Sequence, residues 1–326
     1  MLRVALLDDY QDAALGSAEW QRLPDEIRVE AFRDHLTDEA ALAERLQPFE
    51  VVMALRERTP FRRSLLQRLP NLKLLTTAGM RNAAIDLPAA TELGILVCGT
   101  GGGSRSTMEL TWGLILALAR SIPREDRSVR AGGWQETVGF GLDGKTLGIV
   151  GLGNIGGQVA EVARAFHMRL IAWSQNLTDE RAAACGAQRV TKDELLRQAD
   201  IVTIHLVLSP RTTGLLGERE LALLRPSAYL VNTSRGPIVD ERALIAALLK
   251  GAIAGAGLDV FDQEPLPPNH PLRSLPNVVL TPHLGYVTAE TYRVFYGQTL
   301  ENIEAFLAGA PQRVLNPEVL ATRRPL

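Results

Sequence analysis

The sequence predicts an α/β protein built on parallel sheets. Three observations carry this. Short runs rich in β-branched residues and Leu recur along the chain, apolar throughout rather than alternating. Helical patterns separate most of them. One strand-to-helix junction carries a glycine fingerprint. Strands that are apolar along their whole length are buried on both faces, as in parallel sheets covered by helices.

In chain order, strand-like runs fall at VALLDD (4–9), VVMAL (51–55), LKLLTTA (72–78) and ILVC (95–98). They continue at TLGIVGLG (146–153), RLIAW (169–173), IVTIHLVL (201–208), AYLVNT (228–233), IAGAGLDVF (253–261) and NVVLTPH (277–283). Helical patterns occupy 37–47, 104–120, 155–166, 191–199 and 240–250, the last with Asp240 as N-cap and Gly251 as its stop. Gly99-Thr100-Gly101-Gly102-Gly103 is the strongest break. A last helical stretch, 288–309, follows a finished sheet and must pack on something, which suggests a return to the first domain. The expected division is 1–100 plus 288–326 against 101–287.

Composition is that of an ordinary globular chain: 326 residues, 46% hydrophobic and 22% charged, with a formal net charge of −2. That balance argues against a nucleic-acid or anionic-membrane surface as the main partner. Cys98 and Cys185 stand alone, without CxxC or Cys/His spacing, so no metal site and no disulfide is expected. MLRVALLDDY runs straight into a strand pattern, and no apolar run approaches the roughly 18–20 residues of a membrane span. A cytoplasmic protein is expected.

Gly151-Leu152-Gly153-Asn154-Ile155-Gly156 follows a strand and opens a helix. Gly151 permits the tight turn, Gly153 lets a pyrophosphate approach the backbone, and Gly156 lets helix and strand pack closely. The helix N-terminus offers N–H groups and positive potential to the anion. An acidic residue is expected about 20 positions on, to hold a ribose 2′-hydroxyl. The sequence there reads Trp173-Ser174-Gln175-Asn176, without a carboxylate. The main barrier to a 2′-phosphate is absent, so the reading is NAD(P)(H) with a lean to NADP(H).

Three later strand ends carry a cation, a carboxylate and an imidazole: Arg235 in LVNTSRGPIVDERAL, Glu264 in GLDVFDQEP and His283 in TPHLGYVT. In open parallel sheets such ends border the ligand crevice. Taken singly, Arg235 reads as a surface ion-pair partner, Glu264 as a turn residue and His283 as a backbone partner. Together they fit hydride chemistry on a 2-oxo acid. The arginine fork holds the carboxylate and carbonyl, the imidazole exchanges the proton, and the carboxylate orients the ring and favours imidazolium. His205 reads as a pocket residue at a strand end. His35, His167 and His270 show no partner in the sequence and read as structural or exposed.

Over nearly its whole length the chain resembles the D-2-hydroxyacid dehydrogenases. The resemblance rests on GLGNIG, IHLVLSPRTTGLL, LVNTSRGPIVDERAL, GLDVFDQEP and TPHLGYVT, all in family order. It implies a Rossmann-type cofactor domain inserted in a smaller flavodoxin-like α/β domain, and a homodimer. Arg235, Glu264 and His283 match the family's catalytic residues. Asp259, Thr107, His205, Leu206, Val207, Thr212, Thr233 and Ser234 match segments lining the cofactor, with Ser174 and Gln175 at its ribose. Ala78 and Gly79 match the loop whose N–H groups receive the substrate carboxylate, and Arg56 a substrate-side arginine. Three departures put the substrate in question: Val207 for a common proline, Tyr286 for a small residue beside the pocket, and Met80-Arg81-Asn82 beside the carboxylate loop. A corepressor that senses NAD(H) is the alternative reading.

Overall fold

The computed structural model describes residues 2–103 and 105–321. The chain divides into two compact units, Met1–Gly103 with Thr288–Leu326, and Ser104–Val287.

In the first unit, β1 (Arg3–Leu6), β2 (Arg28–Ala31), β3 (Val51–Ala54), β4 (Leu74–Thr77) and β5 (Leu96–Gly99) form a parallel sheet in the order β2-β1-β3-β4-β5. This is the flavodoxin-like order. Successive side chains point to opposite faces. Ala5, Val52, Ala54, Leu75 and Val97 join one buried cluster with Leu42, Leu46, Phe49 and Leu65. Val4, Leu6, Met53, Leu74 and Leu96 are buried as well. The last helix, Ala289–Leu307, packs on β4. It is capped by Thr288, whose hydroxyl accepts from Thr291 N–H. Asn302 donates to Gly99 O at 2.9 Å, and Gln298 Oε1 accepts from Gly101 N–H at 2.6 Å. The last helix thus packs within the first unit.

In the second unit, β6 (Thr146–Val150), β7 (Arg169–Trp173), β8 (Gln188–Arg189), β9 (Ile201–Ile204), β10 (Tyr229–Asn232), β11 (Gly255–Leu258) and β12 (Val278–Leu280) form a parallel sheet. Its order is β12-β11-β10-β9-β6-β7-β8. Val150, Val202, Ile204, Leu230 and Leu258 enter one core. Leu147, Ile149, Leu170, Ile201 and Val231 enter the other. Burial on both faces explains runs with no polar alternation. The chain winds outward in two directions from β6 and β9, so the switch point lies between them, where ligands bind in sheets of this kind. β2 and β8, absent from the sequence reading, are edge strands with exposed or half-exposed residues.

Among the described residues, no helix is long and apolar enough to cross a membrane. Among the same described residues, no group of three or more His, Cys, Asp or Glu side chains is placed to hold a metal ion.

Candidate active site

The fingerprint sits at the switch point. Gly151 has φ +103°, and a Cβ there would lie 2.5 Å from His205 O at the end of β9. Only glycine lets these two loops meet. A Cβ on Gly156 would lie 2.1 Å from Gly151 O, so the helix packs directly on its own turn. Gly153 faces open space and caps the helix Asn154–Ala165 without a side-chain bond. The N-terminal end of that helix, opened by this glycine turn, is where helix geometry favours an anion. Leu206 packs beside Gly151, and Val207 is 75% exposed at the same strand end.

His205 adds a second feature. Its Nε2 is 2.9 Å from Thr203 Oγ1, while its Nδ1 is inaccessible and has no hydrogen-bond partner. Burial pushes its pKa down from 6.5 to about 3, so the ring is neutral at physiological pH. An orphaned polar atom beside a glycine cradle fits a polar, phosphate-bearing cofactor.

Ser174, half-buried, and Gln175, exposed, follow β7. Other matched residues spend their polar atoms inside the fold. Thr212 Oγ1 donates to Val207 O at 2.8 Å and shapes its own loop. Thr233 Oγ1 is 2.9 Å from Thr111 Oγ1, and Ser234 Oγ donates to Ile204 O at 2.7 Å, tying β10's end to β9. Thr107 Oγ1 donates to Gly285 O at 2.9 Å.

Arg235, Glu264 and His283 follow the neighbouring strands β10, β11 and β12, whose last residues are in register: Asn232 with Leu258, and Leu258 with Leu280. His283 Nδ1 lies 2.6 Å from Glu264 Oε2, and Glu264 Oε1 accepts from Phe261 N–H at 3.0 Å. One carboxylate oxygen is thus anchored to the backbone while the other holds the ring. His283 is in the left-handed region at φ 56°, a position that costs energy and needs support. Asp259 provides it. Asp259 Oδ1 accepts from Thr281 Oγ1 at 2.6 Å and from Leu284 N–H at 2.7 Å, and Oδ2 accepts from Gly285 N–H at 2.9 Å. Burial pushes the Asp259 carboxyl up, against these bonds. The family resemblance puts Asp259 beside the cofactor; in the structure its carboxylate also organises the histidine loop. The Tyr286 ring, 7% exposed, meets the His283 ring edge-on at 5.5 Å and 70°.

Arg235 sits in a turn fixed at both ends. Asn232 Oδ1 accepts from Ser234 N–H at 3.0 Å, and Asn232 Nδ2 donates to Arg235 O at 3.0 Å. Gly236 then lies flat on the loop that carries Glu264: a Cβ there would be 2.1 Å from Phe261 C and 2.6 Å from Asp262 N. The Ser-Arg-Gly-Pro sequence is explained by this contact. Glycine allows the close approach, and Pro237 restricts the backbone next to the arginine.

In the first unit, Arg56 (φ 58°) donates from Nη1 to Ala78 O at 3.2 Å and lies 3.7 Å from Glu57. Gly79 (φ +91°) holds a backbone conformation that favours glycine, and a Cβ there would fall 2.4 Å from Arg56 Nη1, the far end of that flexible side chain. The N–H groups of Ala78 and Gly79 already have acceptors, Ala54 O at 3.1 Å and Thr100 Oγ1 at 2.9 Å. The two residues shape their loop rather than offer N–H donors to an incoming carboxylate. His35 and His270 are also corrected: each has a partner, Asp8 at 2.8 Å and Glu241 at 3.0 Å.

With this geometry in hand, residues 112–285 match the family model described as D-isomer specific 2-hydroxyacid dehydrogenase, NAD binding domain. The chain is 44% identical over 272 residues to a glyoxylate reductase of Aeropyrum pernix, covering 80% of this chain and 81% of that protein. It is 40% identical over 262 residues to a D-3-phosphoglycerate dehydrogenase of Methanocaldococcus jannaschii, covering 79% of this chain and 50% of that one. A solved phosphoglycerate oxidoreductase from Vibrio cholerae superposes with a TM-score of 0.91 at 37% identity, over 95% of this chain and 100% of that one. These relatives are oxidoreductases, which does not favour the corepressor alternative. The chain is an enzyme that works with a nicotinamide cofactor, and it belongs to the D-isomer specific 2-hydroxyacid dehydrogenase family.

Proposed function

We propose that the protein reduces a small 2-oxo acid to the D-2-hydroxy acid, with His283 as proton donor, Glu264 as its orienting carboxylate and Arg235 as the substrate anchor. The observation that carries this reading is the 2.6 Å pair between His283 Nδ1 and Glu264 Oε2. With Nδ1 engaged by a carboxylate, Nε2 is the nitrogen that delivers a proton to the carbonyl oxygen. The Arg235 guanidinium holds the carboxylate and polarises the carbonyl through its planar fork. The cofactor, when bound at the glycine turn, supplies the hydride. In the oxidation direction His283 takes the proton back.

Glyoxylate and hydroxypyruvate are the substrates we favour. The relative from Aeropyrum pernix is named a glyoxylate reductase, and the buried Tyr286 ring against His283 leaves a short side chain the easier fit. Arg56 and the Ala78–Gly79 loop belong to the substrate side in this reading. NADPH is the cofactor we favour over NADH, since Ser174, Gln175 and Asn176, directly after β7, include no carboxylate. A cytoplasmic homodimer is part of the same reading, supported by the family resemblance and open to sedimentation analysis.

The test is a panel of glyoxylate, hydroxypyruvate, pyruvate, phenylpyruvate and 3-phosphohydroxypyruvate with NADPH and NADH, run on the parent and on His283→Ala. Turnover by the parent and its loss in the variant is the expected result. A variant as active as the parent would remove His283 from the chemistry.

A further inference from the structure

A preference for NADPH needs a cation at the 2′-phosphate, and Ser174, Gln175 and Asn176 supply none. We propose that Arg181 is that cation and sets the choice of cofactor. The proposal rests on the NADPH preference stated above and names the residue that produces it.

Position comes first. Arg181 lies in the first turn of the helix Asp179–Ala184, which follows β7. Its N–H donates to the capping Thr178 Oγ1 at 3.2 Å. Long helical side chains lean back toward the helix N-terminus, here toward the end of β7, where a dinucleotide ribose is held. The guanidinium also reaches across to the fingerprint helix. A Cβ on Gly157 would lie 3.6 Å from Arg181 Nη2. Gly157 N–H in turn donates to Gly153 O at 2.9 Å, so the arginine rests one helical turn from the phosphate-binding glycine. Gly157 presents no side chain there, which leaves that surface to the guanidinium.

Charge comes second. Among the described residues, no carboxylate pairs with the Arg181 guanidinium. The other cations of this corner are placed or occupied differently. Arg189 lies 3.5 Å from Asp179. Arg164 belongs to the last turn of the fingerprint helix and packs at Gly186. An exposed, uncommitted guanidinium beside a strand end without a carboxylate is the chemistry that a phosphate dianion selects, through two parallel N–H···O bonds. The same site has no group that would reward the bare 2′-hydroxyl of NADH with more than a neutral hydrogen bond.

The experiment uses the full chain and a probe that requires no turnover. Calorimetric titration compares 2′,5′-ADP with 5′-AMP on the parent, Arg181→Gln and Arg181→Lys, and steady-state kinetics give the NADPH:NADH ratio of kcat/KM for each. The parent is expected to favour 2′,5′-ADP. Arg181→Gln should lose about ten- to a hundredfold in affinity for 2′,5′-ADP relative to 5′-AMP, and the NADPH:NADH ratio should fall with it. Arg181→Lys should fall between, keeping the charge without the fork. The preference of the parent should shrink as salt is raised, because the arginine is exposed. If the parent favours 2′,5′-ADP and Arg181→Gln leaves that preference intact, Arg181 is not the determinant, while the NADPH reading stands. If the parent binds both probes alike and works better with NADH, the NADPH reading fails and the role of Arg181 with it.

Discussion

Gly236→Ala is the substitution that most directly tests how the arginine turn and the glutamate loop are joined. An alanine Cβ at this position would lie 2.1 Å from Phe261 C, 2.3 Å from Phe261 O and 2.6 Å from Asp262 N. All three are backbone atoms, so no side chain can swing away. Restoring ordinary contact requires the 235–237 turn and the 261–264 loop to part by about 1 Å. Overpacking of this kind costs about 1–3 kcal/mol, which for a unit of this size lowers Tm by about 2–12 °C. The functional cost is separate and larger. Arg235 rides on one side of the contact and the Glu264–His283 pair on the other, and a misplacement of about 1 Å costs on the order of a hundredfold in rate. The assay is kcat/KM for the best oxo acid alongside a thermal melt. Gly141→Ala serves as control, since a Cβ there meets nothing within 4 Å. If Gly236→Ala melts lower yet keeps kcat/KM within about threefold of the parent, the contact is structural only. The argument that it aligns Arg235 with the acid–base pair would then be wrong.

Other outcomes follow from the same geometry. His283→Ala should lower kcat by about 10²–10⁴-fold, with nucleotide affinity measured by fluorescence titration to separate chemistry from binding. Arg235→Lys should lower kcat/KM at least about tenfold, because an ammonium cannot make the bidentate contact; full kcat/KM in that variant would refute the role of the fork. The neutral His205 ring makes stability depend on acid. Below pH 6.5 the unfolded chain takes up a proton that the folded ring refuses until about pH 3. Its contribution is therefore present above pH 6.5 and lost as pH falls toward 3, with an upper limit of about 5 kcal/mol. Urea unfolding from pH 7 to pH 4 should show a shallower decline for His205→Gln than for the parent, and parallel curves would contradict the assignment.

What could be read from the sequence, and what could not, divides along a physical line. Continuous apolar runs such as TLGIV and AYLV are legible because burial on both faces leaves no other use for them. The strands Arg28–Ala31 and Gln188–Arg189 were not legible, because an edge strand keeps polar residues and its hydrogen bonds come from the neighbour rather than from its own composition. IVTIHLVL read as one strand to residue 208, yet the sheet ends at Ile204; Leu206 and Leu208 are apolar because they pack on the core from a loop. At the site, motif spacing identified which residues stand at strand ends. It did not tell how their donors and acceptors are consumed. The Asp259 carboxylate is taken up by Thr281, Leu284 and Gly285, and the Gly79 N–H by Thr100. His35 and His270 find Asp8 and Glu241, each more than 25 positions away. Those pairings are properties of loops closed by the fold, and one sequence contains no local signal for them. The arginine turn is the intermediate case. Ser-Arg-Gly-Pro announced a rigid bend, but the reason for its glycine, a backbone lying flat on the loop of Glu264, exists only once β10 and β11 are side by side.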